Sequence, residues 1–197
     1  PSQLVQDATR HGVKVLPPDV SFSDWDSKLE FDAGSRPPVR LGLRLVGSLS
    51  EAGGKRIAAA RAQAPFTGVE DMAQRAELDV KDLNALAAGD ALRSLAGHRR
   101  QQVWEAAAQR RAPALLRDAP IGEQALLLPP ARESEEVVFD YASLGLTLRS
   151  HPIALLRPRL ARRRFLNADQ LRALPHGRRV AACGLVTVRQ QPGTAKG

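Results

Sequence analysis

The chain has 197 residues, a single cysteine and a formal net charge of +8. Hydrophobic residues make up 43%, enough for a core, but aromatics reach only 4%, too few for a base-stacking platform. One cysteine excludes an intrachain disulfide, and no apolar run approaches the ~20 residues of a membrane span. These features point to a reducing, cytoplasmic setting without a membrane partner. The charge is uneven. From Ser143 onward there are 11 Lys and Arg against one acid, Asp169, while the first 142 residues hold 18 basic and 20 acidic groups. A polyanion, nucleic acid before membrane, is the natural partner of such a tail. An Arg-rich solvated face is the plain alternative.

Ala, Leu and Arg dominate, so the expected fold is mainly α with short β-strands. Leu4 to His11 reads as the end of a helix closed by Gly12. Val13 to Leu16 is a short strand stopped by Pro17-Pro18. Trp25 to Phe31 alternates as a half-buried strand, and Val39 to Leu43 can return as its partner. A helix spans Glu51 to Ala62, before Pro65. Thr67 is the expected cap of the next helix, with Glu70 three residues on. Asp79 caps a third, through Ala88. Ala91 to Leu95 is short, and His98 to Arg111 is longer. Four prolines mark Ala112 to Pro130 as a linker. Ser134 is the expected cap of a helix through Val137, Phe139 and Tyr141, and Pro152 to Leu160 continues helical. Asn167 starts a capped helix, and Val180 to Gln190 reads as a strand in which Cys183 belongs to the core. His11, His98, His151 and His176 have no acid or cysteine at ligand spacing, so no metal site is expected.

The stretch "RLVGSLSEAGGKRIAAAR", Arg44 to Arg61, decides between three chemistries. A phosphate-binding P-loop requires glycine where Leu49 stands and a hydroxyl where Arg56 stands, so it is excluded. A helix-hairpin-helix needs a small–apolar–small turn between two helices. Ser48-Leu49-Ser50 fits, with Leu49 as the plug and the start of the second helix aimed at a DNA phosphate. Lys55 and Arg56 follow as candidate phosphate contacts. An ordinary helical corner fits the pattern as well. Gly53-Gly54 is expected to weaken the second helix by about 1 kcal/mol per glycine. A second dock is expected at His98, Arg99 and Arg100, behind Gly97. Arg162, Arg163 and Arg164 close a run of five arginines in eight residues that could track phosphates.

Five segments, "LVQDATRHGVKVLPPDVSFSDWD", "RLGLRLVGSLSEAGGKRIAAAR", "LAAGDALRSLAGHRRQ", "SLGLTLRSHPI" and "GLVTVRQQPGTAKG", resemble landmarks of the C-family bacterial DNA polymerases, in the family's order. The wording is closer to the error-prone, damage-inducible branch than to the replicative alpha subunit. The resemblance implies the end of a fingers region over 1–36 and a tandem helix-hairpin-helix DNA-binding region over 37–111. It implies a Pro-rich linker over 112–133, a basic helical connector over 134–176 and the truncated start of an OB-fold over 177–197. The expected architecture is thus a tandem helix-hairpin-helix domain flanked by a small N-terminal α/β piece and the first strands of an incomplete OB-fold. An opening without Met and a close after Thr-Ala-Lys-Gly add the expectation of a fragment.

Functionally, the resemblance implies a piece of a DNA-directed DNA polymerase acting in translesion synthesis and damage-induced mutagenesis, nucleoid-associated, and bound to primer-template duplex and single-stranded template. Mg2+ and the catalytic carboxylates belong to a palm upstream of Pro1. No cofactor is therefore expected here, and the chain should be inactive alone. Replicative relatives carry a sliding-clamp motif where Gln124, Leu127 and Leu128 stand, but its aromatic anchor is missing. Two other readings stay open. One is a free-standing helix-hairpin-helix DNA-binding protein. The other is an interaction scaffold docking mutagenesis partners or the clamp.

Overall fold

The computed structural model describes residues 2–30, 37–109, 127–186 and 188–190. These form two compact units, Pro1–Arg149 and Ser150–Gly197. The described residues are mainly α-helical with strands of two residues each.

In the first unit, α1 (Ser2–Arg10) ends at Gly12, whose φ of +77° turns the chain into β1 (Val15–Leu16). β1 runs parallel to β3 (Val39–Arg40), and β2 (Lys28–Leu29) lies antiparallel on its other side. The strand expected over Trp25 to Phe31 is thus cut to two residues. Trp25 leaves the strand to pack against the core, and its carbonyl accepts the Arg44 amide at 3.0 Å.

Five helices then build the main core. α2 (Glu51–Gln63) buries Gly53, Gly54, Ile57 and Ala60, one face at helical spacing. α3 (Val69–Arg75) buries Val69 and Met72, and α4 (Val80–Ala88) buries Leu83, Leu86 and Ala87. α5 (Arg93–Ala96) is one turn, and α6 (Arg99–Ala108) packs on α4. Asp79 caps α4 as expected, accepting the Asp82 amide at 2.7 Å. Thr67 does not cap α3. Gly68 holds that position without a side-chain cap, and Asp71 reaches back to accept the Thr67 amide at 3.0 Å, tying the chain before the helix to its first turn. α7 (Glu133–Leu144) starts one residue before the expected Ser134 cap, because Glu135 reaches back to the Arg132 amide at 3.3 Å.

In the second unit, His151 caps α8 (Pro152–Arg162), its Nδ1 accepting the Ile153 amide at 3.2 Å. Proline at the first helical position loses no bond there. β4 (Phe165–Leu166) pairs in parallel with β5 (Ala181–Ala182). Between them Asn167 and Gln170 form a reciprocal capping box on α9 (Ala168–Arg172). Of the strand expected over Val180 to Gln190, the described residues are paired only at Ala181–Ala182. Cys183, expected in a core, is exposed. Ile153 is the one buried hydrophobic residue among those described in this unit, so no layer covers the Cys183 side chain. No helix of the described residues is long and apolar enough to cross a membrane.

Candidate nucleic-acid interface

The first hairpin is built around Val46 and Leu49. Val46 is buried, and Leu49 plugs the turn at 9% exposure, as its central apolar position requires. The arm before the turn is a single 3-10 turn, Leu43–Leu45, not a full helix. Ser48 is exposed and sits at φ +67°, a conformation that favours glycine. Ser50 sits at φ −75°, where serine is unstrained, and caps α2 by accepting the Gly53 amide at 2.9 Å. The Gly47 amide donates to the Ser143 carbonyl of α7 at 2.7 Å.

An internal carboxylate stands at the start of α2. Asp82 of α4, 2% exposed, accepts the Ser50 amide at 2.9 Å and the Ser50 hydroxyl at 2.8 Å. A helix N-terminus attracts an anion through its unpaired amides. Here a side chain of the protein supplies that anion. The same contact explains the double glycine. A Cβ on Gly53 would lie 2.3 Å from Asp82 Oδ2, and one on Gly54 would lie 2.5 Å from the Trp25 ring. Both glycines are needed for close approach.

The cations after the turn divide. Lys55 is exposed and pairs with Glu51 one turn back at 2.6 Å. That hydrogen bond, with the charge of Glu51, holds the ammonium above its ordinary pKa. Arg56 turns inward and donates to the carbonyls of Ala76 and Glu77 at 2.7 and 3.2 Å, closing the C-terminal end of α3.

The second candidate dock is largely internal too. His98 caps α6, its Nδ1 accepting the Gln101 amide at 3.3 Å. Its Nε2 donates to the Leu128 carbonyl at 2.7 Å. Arg99 is 4% exposed. It bonds Glu136 Oε2 at 2.8 Å, the Glu136 carbonyl at 3.1 Å, and Asp140. Arg149 joins the same acids at 3.2 Å each and reaches Asp90 at 2.8 Å. Two guanidinium groups and three carboxylates thus lock α6, α7 and the α4–α5 turn together. Arg100, half exposed, pairs with Glu135 at 2.9 Å.

In the second unit Arg162, Arg163 and Arg164 are all exposed, and their guanidinium groups pair with no other described residue. Arg163 and Arg164 close α8, where cations suit the negative end of the helix. The unit holds ten Lys and Arg and one acid. Of the clamp-like residues, Gln124 lies outside the described residues. Leu127 is exposed, and the Leu128 backbone is held by His98 and Gln101.

Sequence reasoning missed the contact of Asp82 with the start of α2 and passed over Arg149 and Lys81. The signal for Asp82 was the glycine pair, which has no use in a helix unless something sits against it. Lys81 had none, since its setting depends on how α7 crosses α4.

Comparison with known proteins agrees with the resemblance. The helix-hairpin-helix motif family matches residues 12–102. Over its whole length the chain is 55% identical to an error-prone DNA polymerase of Ralstonia nicotianae. It is 53% identical to the protein of that name from Bordetella parapertussis and 51% to that from Burkholderia pseudomallei, again over the whole chain. In each case it spans 19% of the relative's length. The chain is therefore homologous, end to end, to a segment making up about a fifth of the length of proteins named error-prone DNA polymerase.

Proposed function

We propose that this chain is the backbone-gripping part of an error-prone, DNA-directed DNA polymerase that copies damaged template during induced mutagenesis. The observation that carries the reading is its end-to-end similarity to one segment of proteins of that name, across a helix-hairpin-helix region. In this reading the parent performs nucleotidyl transfer with Mg2+ in a palm outside this chain, and the chain alone is inactive. Its role is to hold primer-template duplex and to guide single-stranded template, through phosphates and without reading sequence.

The unpaired Arg162, Arg163 and Arg164 are the leading contacts in this proposal. Lys55 and Ser48 are exposed at the first hairpin and can join them. Arg56, Arg99 and His98 are spoken for by internal bonds, and they act by shaping the domain. Arg100 can contribute by letting go of Glu135. An OB-fold grown from β4 and β5, a clamp contact through Leu127 and a nucleoid setting belong to the same proposal. A second reading, an interaction scaffold, is favoured by the exposed Trp104, Phe139 and Tyr141 on α6 and α7.

The test is binding of the 197-residue chain to primer-template DNA across a salt series. Each phosphate contact contributes ~0.9 to the slope of log affinity against log salt. The Arg162–Arg164 triple alanine variant should lower that slope by about 2 to 3. No binding by the native chain at low salt, or an unchanged slope in the variant, would transfer the case to the scaffold.

A further inference from the structure

Beside the first hairpin runs an open groove of about 770 Å³, formed by the turn, α4 and α7. Ser48, Lys81, Asn84 and Ser143 supply its polar groups, while Val80 and Phe139 supply apolar wall. Among the described residues no carboxylate lines it. Lys81 is exposed, and its ammonium meets no other described residue. Arg10 and Lys14 of this unit are likewise without a described acid partner, whereas Lys28, Arg40, Arg44, Lys55 and Arg100 are all paired with acids. Lys81 and Asn84 are three residues apart on α4, so they share a face.

The geometry points to this groove as the seat of a DNA backbone strand, in place of the amides at the start of α2. Resting on the DNA-binding reading above, it names the residues that make the contact: Lys81 for the phosphate, Asn84 and Ser48 as hydrogen-bonding partners. Two observations converge. Asp82 takes the Ser50 amide and hydroxyl, so the start of α2 already faces a buried negative charge that opposes a second anion there. One helical position away, Lys81 puts an uncommitted positive charge into a groove without acids. The apolar wall suits deoxyribose, and the neutral amide and hydroxyls suit phosphate oxygens.

The experiment measures binding of the full chain to a fluorescent primer-template duplex across a salt series. Lys81→Ala should weaken binding about three- to tenfold at moderate salt and lower the salt slope by ~0.9. Ala88→Trp, at an exposed groove position, fills the space without changing charge and should also weaken binding. Asp82→Asn keeps an acceptor for Ser50 but removes the charge, and should change affinity less than Lys81→Ala does. If native chain binds, Lys81→Ala and Ala88→Trp bind equally well, and only the Arg162–Arg164 variant is weakened, the groove is not a DNA site and a peptide becomes its occupant. If the native chain binds no DNA at low salt, the DNA-binding reading fails and this inference falls with it. Thermal melts establish that each variant is folded, and the surface change at Lys81 carries the test if Ala88→Trp is not.

Discussion

Arg99 separates a phosphate-binding arginine from a structural one, and Arg99→Ala makes the difference measurable. The substitution removes a guanidinium from between Glu136 and Asp140, which are 6% and 5% exposed. Deleting one partner of a buried ion pair costs about 3–5 kcal/mol, because the remaining charge is left unpaired. Arg149 still reaches both acids at 3.2 Å, which sets the expectation near the lower end, about 3 kcal/mol. The Glu136 carbonyl also loses its donor. With a urea dependence of ~2 kcal/mol per M, the unfolding midpoint falls by about 1.5 M. Both tryptophans, Trp25 and Trp104, lie in the first unit, so their fluorescence reports that unit's unfolding alone. Arg99→Lys should recover little, since an ammonium cannot fork between two carboxylates. At low temperature, where the variant stays folded, its DNA salt slope should match the native one. A midpoint unchanged within about 0.3 M, together with a slope lower by ~0.9, refutes the structural assignment and returns Arg99 to the interface.

Two further outcomes follow from local geometry. Gly53→Ala and Gly54→Ala ought to gain about 1 kcal/mol of helix propensity each, yet both should destabilise by about 1–2 kcal/mol net, through overpacking against Asp82 and Trp25; a raised melting temperature in either variant contradicts the close approach. The hydrogen bond from Lys28, reinforced by Arg61, holds the Asp24 carboxyl below its ordinary 3.8. Its contribution is therefore fully present above that value and is lost as pH falls through the lower folded one. Urea titrations between pH 6 and about 2.5 should show the native chain losing more stability on the acid side than Asp24→Asn, and parallel curves would contradict the pairing.

What the sequence made legible is local. Asp79 as a cap, Gly12 as a helix stop, the Asn167–Gln170 box and Leu49 as a plug each depend on residues within four positions, and each stands in the structure. The Gly53-Gly54 pair looked like a weakness because its reasons, Asp82 and Trp25, lie 29 residues on and 29 residues back. The arginines failed to sort for the same reason. Nothing near Arg56 says that it closes the end of α3, and the acids that bury Arg99 are 37 and 41 residues downstream. The strand from Val180 had apolar, β-branched residues, but residue type does not supply a second layer, so Cys183 stayed exposed.

The distribution of charge follows from what each unit must do with its cations. The first unit holds 19 Lys and Arg against 20 acids, and most of its described cations are consumed in holding it together. Arg61 ties α2 to the carbonyls of Val20 and Ser23, Arg75 ties α3 to α2, and Arg99 and Arg149 lock α6 and α7. In the second unit one acid cannot neutralise ten cations, and its arginines stay in solvent. The hairpin obeys the first unit's rule. Asp82 takes the Ser50 amide from within, and the Ser50 hydroxyl bridges that carboxylate to the Gly53 amide. A turn that already holds a buried carboxylate against its second helix meets a polyanion first through its exposed side chains. Contacts of that kind release counterions and are read out by salt. Such contacts carry no information about base sequence.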